Sequence, residues 1–148
     1  MADLAAIQQV TNVSIGTSQV TLVQIKAPTN QRVKITEISI SFAGTTNTNA
    51  PVQVQGMIQT TAGTASAGTP KPIDGDIQET IQTTTQITFT AEPTYSNILR
   101  TWYVHPQTGI TIPLSLIKPI VLKGGTYFGL VVLAANAVAG SAYIAFEE

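Results

Sequence analysis

Apolar and polar residues alternate along much of this 148-residue chain. In PVQVQGMIQ (Pro51–Gln59), Val52, Val54 and Ile58 share one parity and Gln53, Gln55 and Gln59 the other, the period of a half-buried strand. RVKITEISISF (Arg32–Phe42) changes parity midway: Val33 and Ile35 first, then Ile38, Ile40 and Phe42. One extra residue near Thr36–Glu37 restores a single buried face, so a β-bulge or bend is predicted there. Further strands are predicted at Gln19–Lys26, at Gln86–Thr90 with Ile87 and Phe89 inward, at Ile98–His105, Ile110–Leu116 and Ile120–Leu122, and at Ala142–Phe146 with Ile144 and Phe146 on one face. Tyr127–Leu133 is apolar on both faces, which fits a central strand or one covered by a neighbouring subunit.

These eight or nine strands are separated by clusters of Gly, Pro, Asn and Thr. Leu4 and Ile7 suggest a single helical turn, and Val10–Gly16 reads as extended. Short strands without a long helix predict an all-β protein, an antiparallel β-sandwich, and the strand count fits a jelly roll. The stretch TTAGTASAGTP (Thr60–Pro70) is uncharged and built of small residues. Neither the chain before it nor the chain after it holds enough strands to close a sandwich, and a free sheet needs its apolar face covered. It is therefore expected to be a loop within one domain, running on to Gln82, either a contact finger or decoration. The expected organisation is an N-terminal arm over residues 1–16 and one sandwich domain over 17–148. A domain of this size buries roughly 70% of the surface its unfolded chain exposes.

Charge changes the picture. Only 10% of residues are Asp, Glu, Lys or Arg, and the net charge is −1, against about 25% charged in an ordinary soluble domain. No basic cluster exists, so nucleic-acid binding by counterion release has little to act on. A weakly charged surface keeps molecules apart poorly, and the expected reason for it is contact with other protein. The opening MADLAAIQQV has no basic segment followed by an apolar run, so no export signal is expected. The longest apolar stretch, Tyr127–Gly140, is interrupted by Asn136 and is shorter than the ~20 residues of a membrane helix. No membrane partner is expected.

Candidate chemistry is sparse. There is no cysteine and one histidine, His105, so a structural zinc site cannot be assembled within one chain. His105 precedes Pro106 and is expected to be a turn residue bonded to backbone or interface. IDGDIQE (Ile73–Glu79) places Asp74, Asp76 and Glu79 close together, but the acidic residue that ends a calcium loop is missing; a solvated turn at Gly75 is expected. Gly124–Gly125 lacks the Lys-Ser/Thr ending of a phosphate loop and reads as a hairpin turn. Trp102, Tyr103, Tyr95 and Tyr127 could stack on sugars, although Trp102 lies in a strand, where core or interface is its usual place. No catalytic residue, metal or cofactor is expected.

The pieces AEPT (Ala91–Thr94), LRTWYVHP (Leu99–Pro106), GGT before an apolar strand (Gly124–Thr126) and the closing AYIAFEE (Ala142–Glu148) resemble a group of small tailed-phage virion proteins. The likeness runs from Arg32 to Glu148. In architecture the chain also resembles jelly-roll capsid decoration (cement) proteins. The resemblance departs at PLSLIKP (Pro113–Pro119), where relatives turn at PLG. It implies a structural protein of the capsid surface that binds the major capsid protein and assembles as a homotrimer. Its expected seam is Tyr127, Gly129, Val131 and Leu133; its expected contact arm carries Leu4, Ile7 and Val10. The alternative is a tail, baseplate or fibre component that binds a receptor or glycan.

Overall fold

The computed structural model describes residues 4–45, 50–73, 75, 79–114 and 118–148. Two antiparallel sheets face each other. In chain order the strands are β1 (Ala5–Ile15), β2 (Val20–Lys26), β3 (Val33–Phe42), β4 (Val52–Gln59), β5 (Thr64–Ala67), β6 (Lys71–Pro72), β7 (Thr84–Ala91), β8 (Tyr95–Val104), β9 (Gly109–Pro113), β10 (Ile120–Leu122), β11 (Tyr127–Leu133) and β12 (Val138–Glu147). The first sheet runs β10-β3-β12-β1-β6, with β9 beside β10 on the same flank of β3. The second runs β5-β7-β2-β11-β4-β8. The chain crosses between the sheets at every connection except β4–β5, β7–β8 and β9–β10. Strands next to each other in sequence therefore mostly lie in opposite sheets, as β1 and β2 do.

The alternation predicted for these strands sets the core. Val33, Ile35, Ile38 and Ile40 on β3, with Ile144 and Phe146 on β12, meet Leu22, Ile25, Phe128 and Leu130 of the second sheet, all essentially without exposure. The parity change in β3 is resolved where it was expected. Glu37 pairs with Ala145 and Ile35 with Phe146, so Thr36 is the extra residue opposite two consecutive residues of β12. Its carbonyl accepts from the Leu114 N–H at 2.8 Å. The bulge puts all five apolar residues of β3 on the core face.

Three expectations are corrected. Ala5–Ile15 is not an arm on a neighbour or a helical turn. It is a full strand, paired with β12 along its length and with β6 at its start. Alternation decides this: Ala6, Gln8 and Val10 point inward, a period of two that the Leu4–Ile7 spacing conceals. The span 60–82 is not one long loop. β5 pairs with β7 and β6 with β1, and the Gly68 N–H donates to the Thr85 carbonyl at 2.9 Å. Gly124–Gly125 forms a turn, with Gly125 at φ +79, but not a hairpin, because it joins β10 of one sheet to β11 of the other. Of the Ile110–Leu116 strand, Gly109–Pro113 forms β9, and residues 115–117 lie outside the described set.

Deleting Thr36 should leave a folded protein, because β12 has no gap opposite it and the shortened β3 alternates regularly. The expected loss is about 1 kcal/mol, the value of the lost bond to Leu114. Deleting Ser39 should abolish folding, because it turns Ile40 and Phe42 to the solvent face. Urea unfolding followed by circular dichroism distinguishes the two.

Candidate interaction surface

The outer face of the second sheet is not the solvated face that the Gln-rich alternation of β4 suggests. Gln59, Gln24 and Thr21 are buried there, at 3%, 1% and 1% exposure. They form one relay. The Gln24 amide donates to the Thr61 carbonyl at 3.0 Å and to Gln59 Oε1 at 2.7 Å. Gln59 Nε2 donates to Thr21 Oγ1 at 3.1 Å, and Thr21 Oγ1 donates to Glu92 Oε2 at 2.5 Å. The same carboxylate oxygen accepts from the Thr21 N–H at 2.8 Å. The AEPT turn thus has a structural job: it carries the carboxylate that ends the relay. Residues Thr60 and Thr61 are tied to that turn through Thr94, which brings the start of the 60–82 span down over the sheet.

This covering fixes the fate of β11. It is an interior strand, hydrogen-bonded to β2 and β4. Phe128, Leu130 and Val132 fill the core. On the other face a side chain at Gly129 would collide with the Gln59 amide, and Val131 is 3% exposed within the single chain. Gly129 and Val131 are therefore filled from within. Tyr127 is half-buried and has the Lys26 ammonium 5.3 Å from its ring centroid, a cation–π contact within the chain. Of the expected seam, Leu133 stands closest to a free surface. It lines an open hollow of about 360 Å³ together with Tyr103, Pro51 and Ala135. Of the expected contact arm, Val10 is in the core and Leu4 and Ile7 are half-buried. The Leu4 N–H and C=O both pair with Glu148.

The carboxylates of the described residues are mostly engaged inside the chain. Glu148 accepts from the N–H groups of Gln82 and Thr83, both at 2.7 Å, and from the Thr83 hydroxyl. Glu147 pairs with Lys34 at 2.9 Å. Glu37 accepts from the Tyr143 hydroxyl. That bond first, then partial burial and the nearby negative charge, raise the Tyr143 pKa above its ordinary 10.0. His105 Nδ1 accepts from the Gln107 N–H at 3.2 Å, and its carbonyl accepts from the Thr108 N–H. It is the turn residue that the sequence suggests. Trp102 packs partly buried against the core. Asp74 and Asp76 lie outside the described residues. Among the described residues no group of three His, Asp or Glu side chains could hold a metal. An open cleft of about 380 Å³ at one end of the sandwich is lined by small residues such as Ala43, Ala134 and Ala137, with no titratable side chain among its walls.

What the fold leaves outside is β8. Six large apolar residues are exposed among those described, and four of them, Tyr95, Ile98, Leu99 and Tyr103, lie on this one strand. Residues 95–99 are exposed without exception. The sequence signal was present in YSNILRTWYV, which breaks alternation and carries a single charge, Arg100. No known protein family, curated protein or solved structure matches this chain.

Replacing Glu92 with Ala leaves the Thr21 N–H and hydroxyl buried without an acceptor. It should cost about 2–3 kcal/mol, read from urea unfolding, whereas an exposed substitution such as Thr90→Ala should cost little. Tyr143 should titrate above the ordinary tyrosine range in ultraviolet absorbance, and Glu37→Gln should bring it down. Because the fold favours the neutral phenol, this contribution to stability is complete below pH 10 and fades as pH rises through the raised value.

Proposed function

We propose that this chain is a structural virion protein of a tailed bacteriophage. It decorates the capsid surface and stabilises it by protein–protein contact with the major capsid protein. The observation that carries this reading is the pairing of a weakly charged β-body with one exposed apolar strand, β8. An apolar cluster of that kind on a rigid surface marks a protein contact. The phage-like pieces between Arg32 and Glu148 support the same reading. So does the strand order: β1-β12-β3-β9 facing β2-β11-β4-β8 fits a jelly roll made of two Greek keys. In this role the protein does no chemistry and needs no cofactor. Each bound copy adds contact area between shell subunits, and the symmetry of the shell repeats that gain.

The homotrimer was implied by the resemblance, and its expected seam was the second apolar face of β11. That face is closed by Gln59 and Gln24, which removes the main reason for a threefold seam there. Tyr95 and Tyr103, exposed along β8, favour a second reading, a tail or fibre component that stacks sugars on these rings.

Phage lacking this protein should form heads that lose infectivity at a lower temperature or on chelation, with resistance restored by adding the purified protein. Undiminished resistance would remove the stabilising role. Saturable binding on a glycan array, lost in Tyr103→Ala, would favour the second reading.

A further inference from the structure

We infer that β8 is a self-association seam, on which the β8 strand of a second copy of this chain pairs edge to edge, antiparallel, about a twofold axis. The argument begins with the sheet edges. An open edge presents unpaired N–H and C=O groups and invites another strand. Most edges here are blunted. β5 has four residues and two register slips against β7. β6 is the dipeptide Lys71–Pro72. Beyond β6, the edge of β1 is broken by a bulge at Asn12, which has φ 54. β10 has three residues, and β9 ends in Pro113. β8 has ten residues, contains no proline or glycine, and pairs with β4 alone among the described strands.

Bulges at Ser96 and Leu99 interrupt its first half. Arg100–Val104 then runs in unbroken register with β4, Val52 to Gly56. This run is the pairing segment, since alternate residues of an antiparallel strand turn their backbone groups away from the existing partner.

The occupant follows from charge and area. Antiparallel pairing centred on Trp102 sets Arg100 opposite Val104 and Thr101 opposite Tyr103. The two Arg100 side chains, the sole charges of the strand, then stand four residue steps apart, about 13 Å along the axis. That exceeds the ~8 Å screening length at physiological salt, so a copy of the same strand meets no charge penalty. The seam sets Trp102 beside Trp102 and each Tyr103 beside a Thr101, the aromatic and β-branched neighbours that stabilise paired strands.

Exposures of 48%, 40%, 39% and 64% at Tyr95, Ile98, Leu99 and Tyr103 amount to about 400 Å² at roughly 200 Å² per large side chain. A standard interface takes ~800 Å² per partner, of which somewhat more than half is apolar. Tyr103 lies in the paired run, and Tyr95, Ile98 and Leu99 extend the apolar surface beyond its end, so run and flank together are of the right size for one partner. The hollow beside Tyr103, walled by Leu133 and Pro51, gives the flanking loops of the second copy a place to seat. This inference concerns the isolated protein and does not rest on the virion role, whose shell contact would compete with the second copy for β8.

Sedimentation of the full chain at tens of micromolar should give twice the mass of one chain. Thr101→Lys with Tyr103→Lys should weaken the dimer at least about a hundredfold, because both residues sit in the seam. Both positions are exposed, so circular dichroism should show the fold intact. Val121→Lys, at an exposed position on β10, should leave the dimer unchanged. The chain has no cysteine, so Thr101→Cys takes a single spin label. The two labels of a dimer should lie within about 20 Å, since paired strands are ~5 Å apart and each label adds its tether. A monomeric wild type, a trimer, a dimer that survives both lysines, or labels far beyond that separation would each overturn the inference.

Discussion

The Gln59 amide lies across Gly129 of β11, bonded on one side to Gln24 and on the other to Thr21. The second sheet depends on this contact because it has apolar content on both faces but a neighbouring sheet on only one. Val131 and Met57 are buried on the outer face. They need a cover, and the chain supplies one by bringing Thr60–Thr61 and the turn at Glu92 over the strands. A cover made of loops brings polar backbone with it, and buried polar groups must be satisfied. The glutamines answer that requirement. Their two-headed amides donate and accept at once, so one row of side chains bonds the loop carbonyl, the neighbouring strand and, through Thr21, the Glu92 carboxylate.

The same economy governs the charges. Four glutamates of a weakly charged chain bind its own groups: Glu37 to Tyr143, Glu92 to Thr21, Glu147 to Lys34 and Glu148 to the backbone at Gln82–Thr83. Two of them hold segments that would otherwise be loose, because Glu92 anchors the turn before β8 and Glu148 pins the entry to β7. With β11 closed and the ends of the sandwich lined by small residues, β8 is where apolar surface collects. Fold and proposed role meet there: a body rigid on both faces presents one strand to a partner.

Much of this was legible along the chain. The bulge at Thr36 follows from parity alone, because Ile35 and Ile38 cannot share a face in a regular strand. The bounds of β10 and β11 follow from short apolar runs between turn residues. The start of the first strand, before the extended run at Val10–Gly16, was not legible. Its inward residues, Ala6, Gln8 and Val10, include a glutamine whose amide accepts from the Thr85 hydroxyl at 2.6 Å, and a glutamine in sequence gives no sign of a buried partner. β5 and β6 were hidden for a related reason. The small residues of β5 in TTAGTASAGTP and the dipeptide Lys71–Pro72 of β6 carry no hydrophobic period, and their strand form comes from the edges they meet.

Local pattern therefore determined where most of the long strands lie and which of their side chains face the core, because alternation is a property of the backbone itself. It determined the scarcity of charge and of reactive groups as well. Tertiary structure alone decided which outer faces are covered. Gln24 and Gln59 suit water as well as a buried relay, and only the loop from Thr60 and the carboxylate of Glu92, far away in sequence, select between the two. That choice closed the outer face of β11 at Gly129 and Val131 and left β8 exposed.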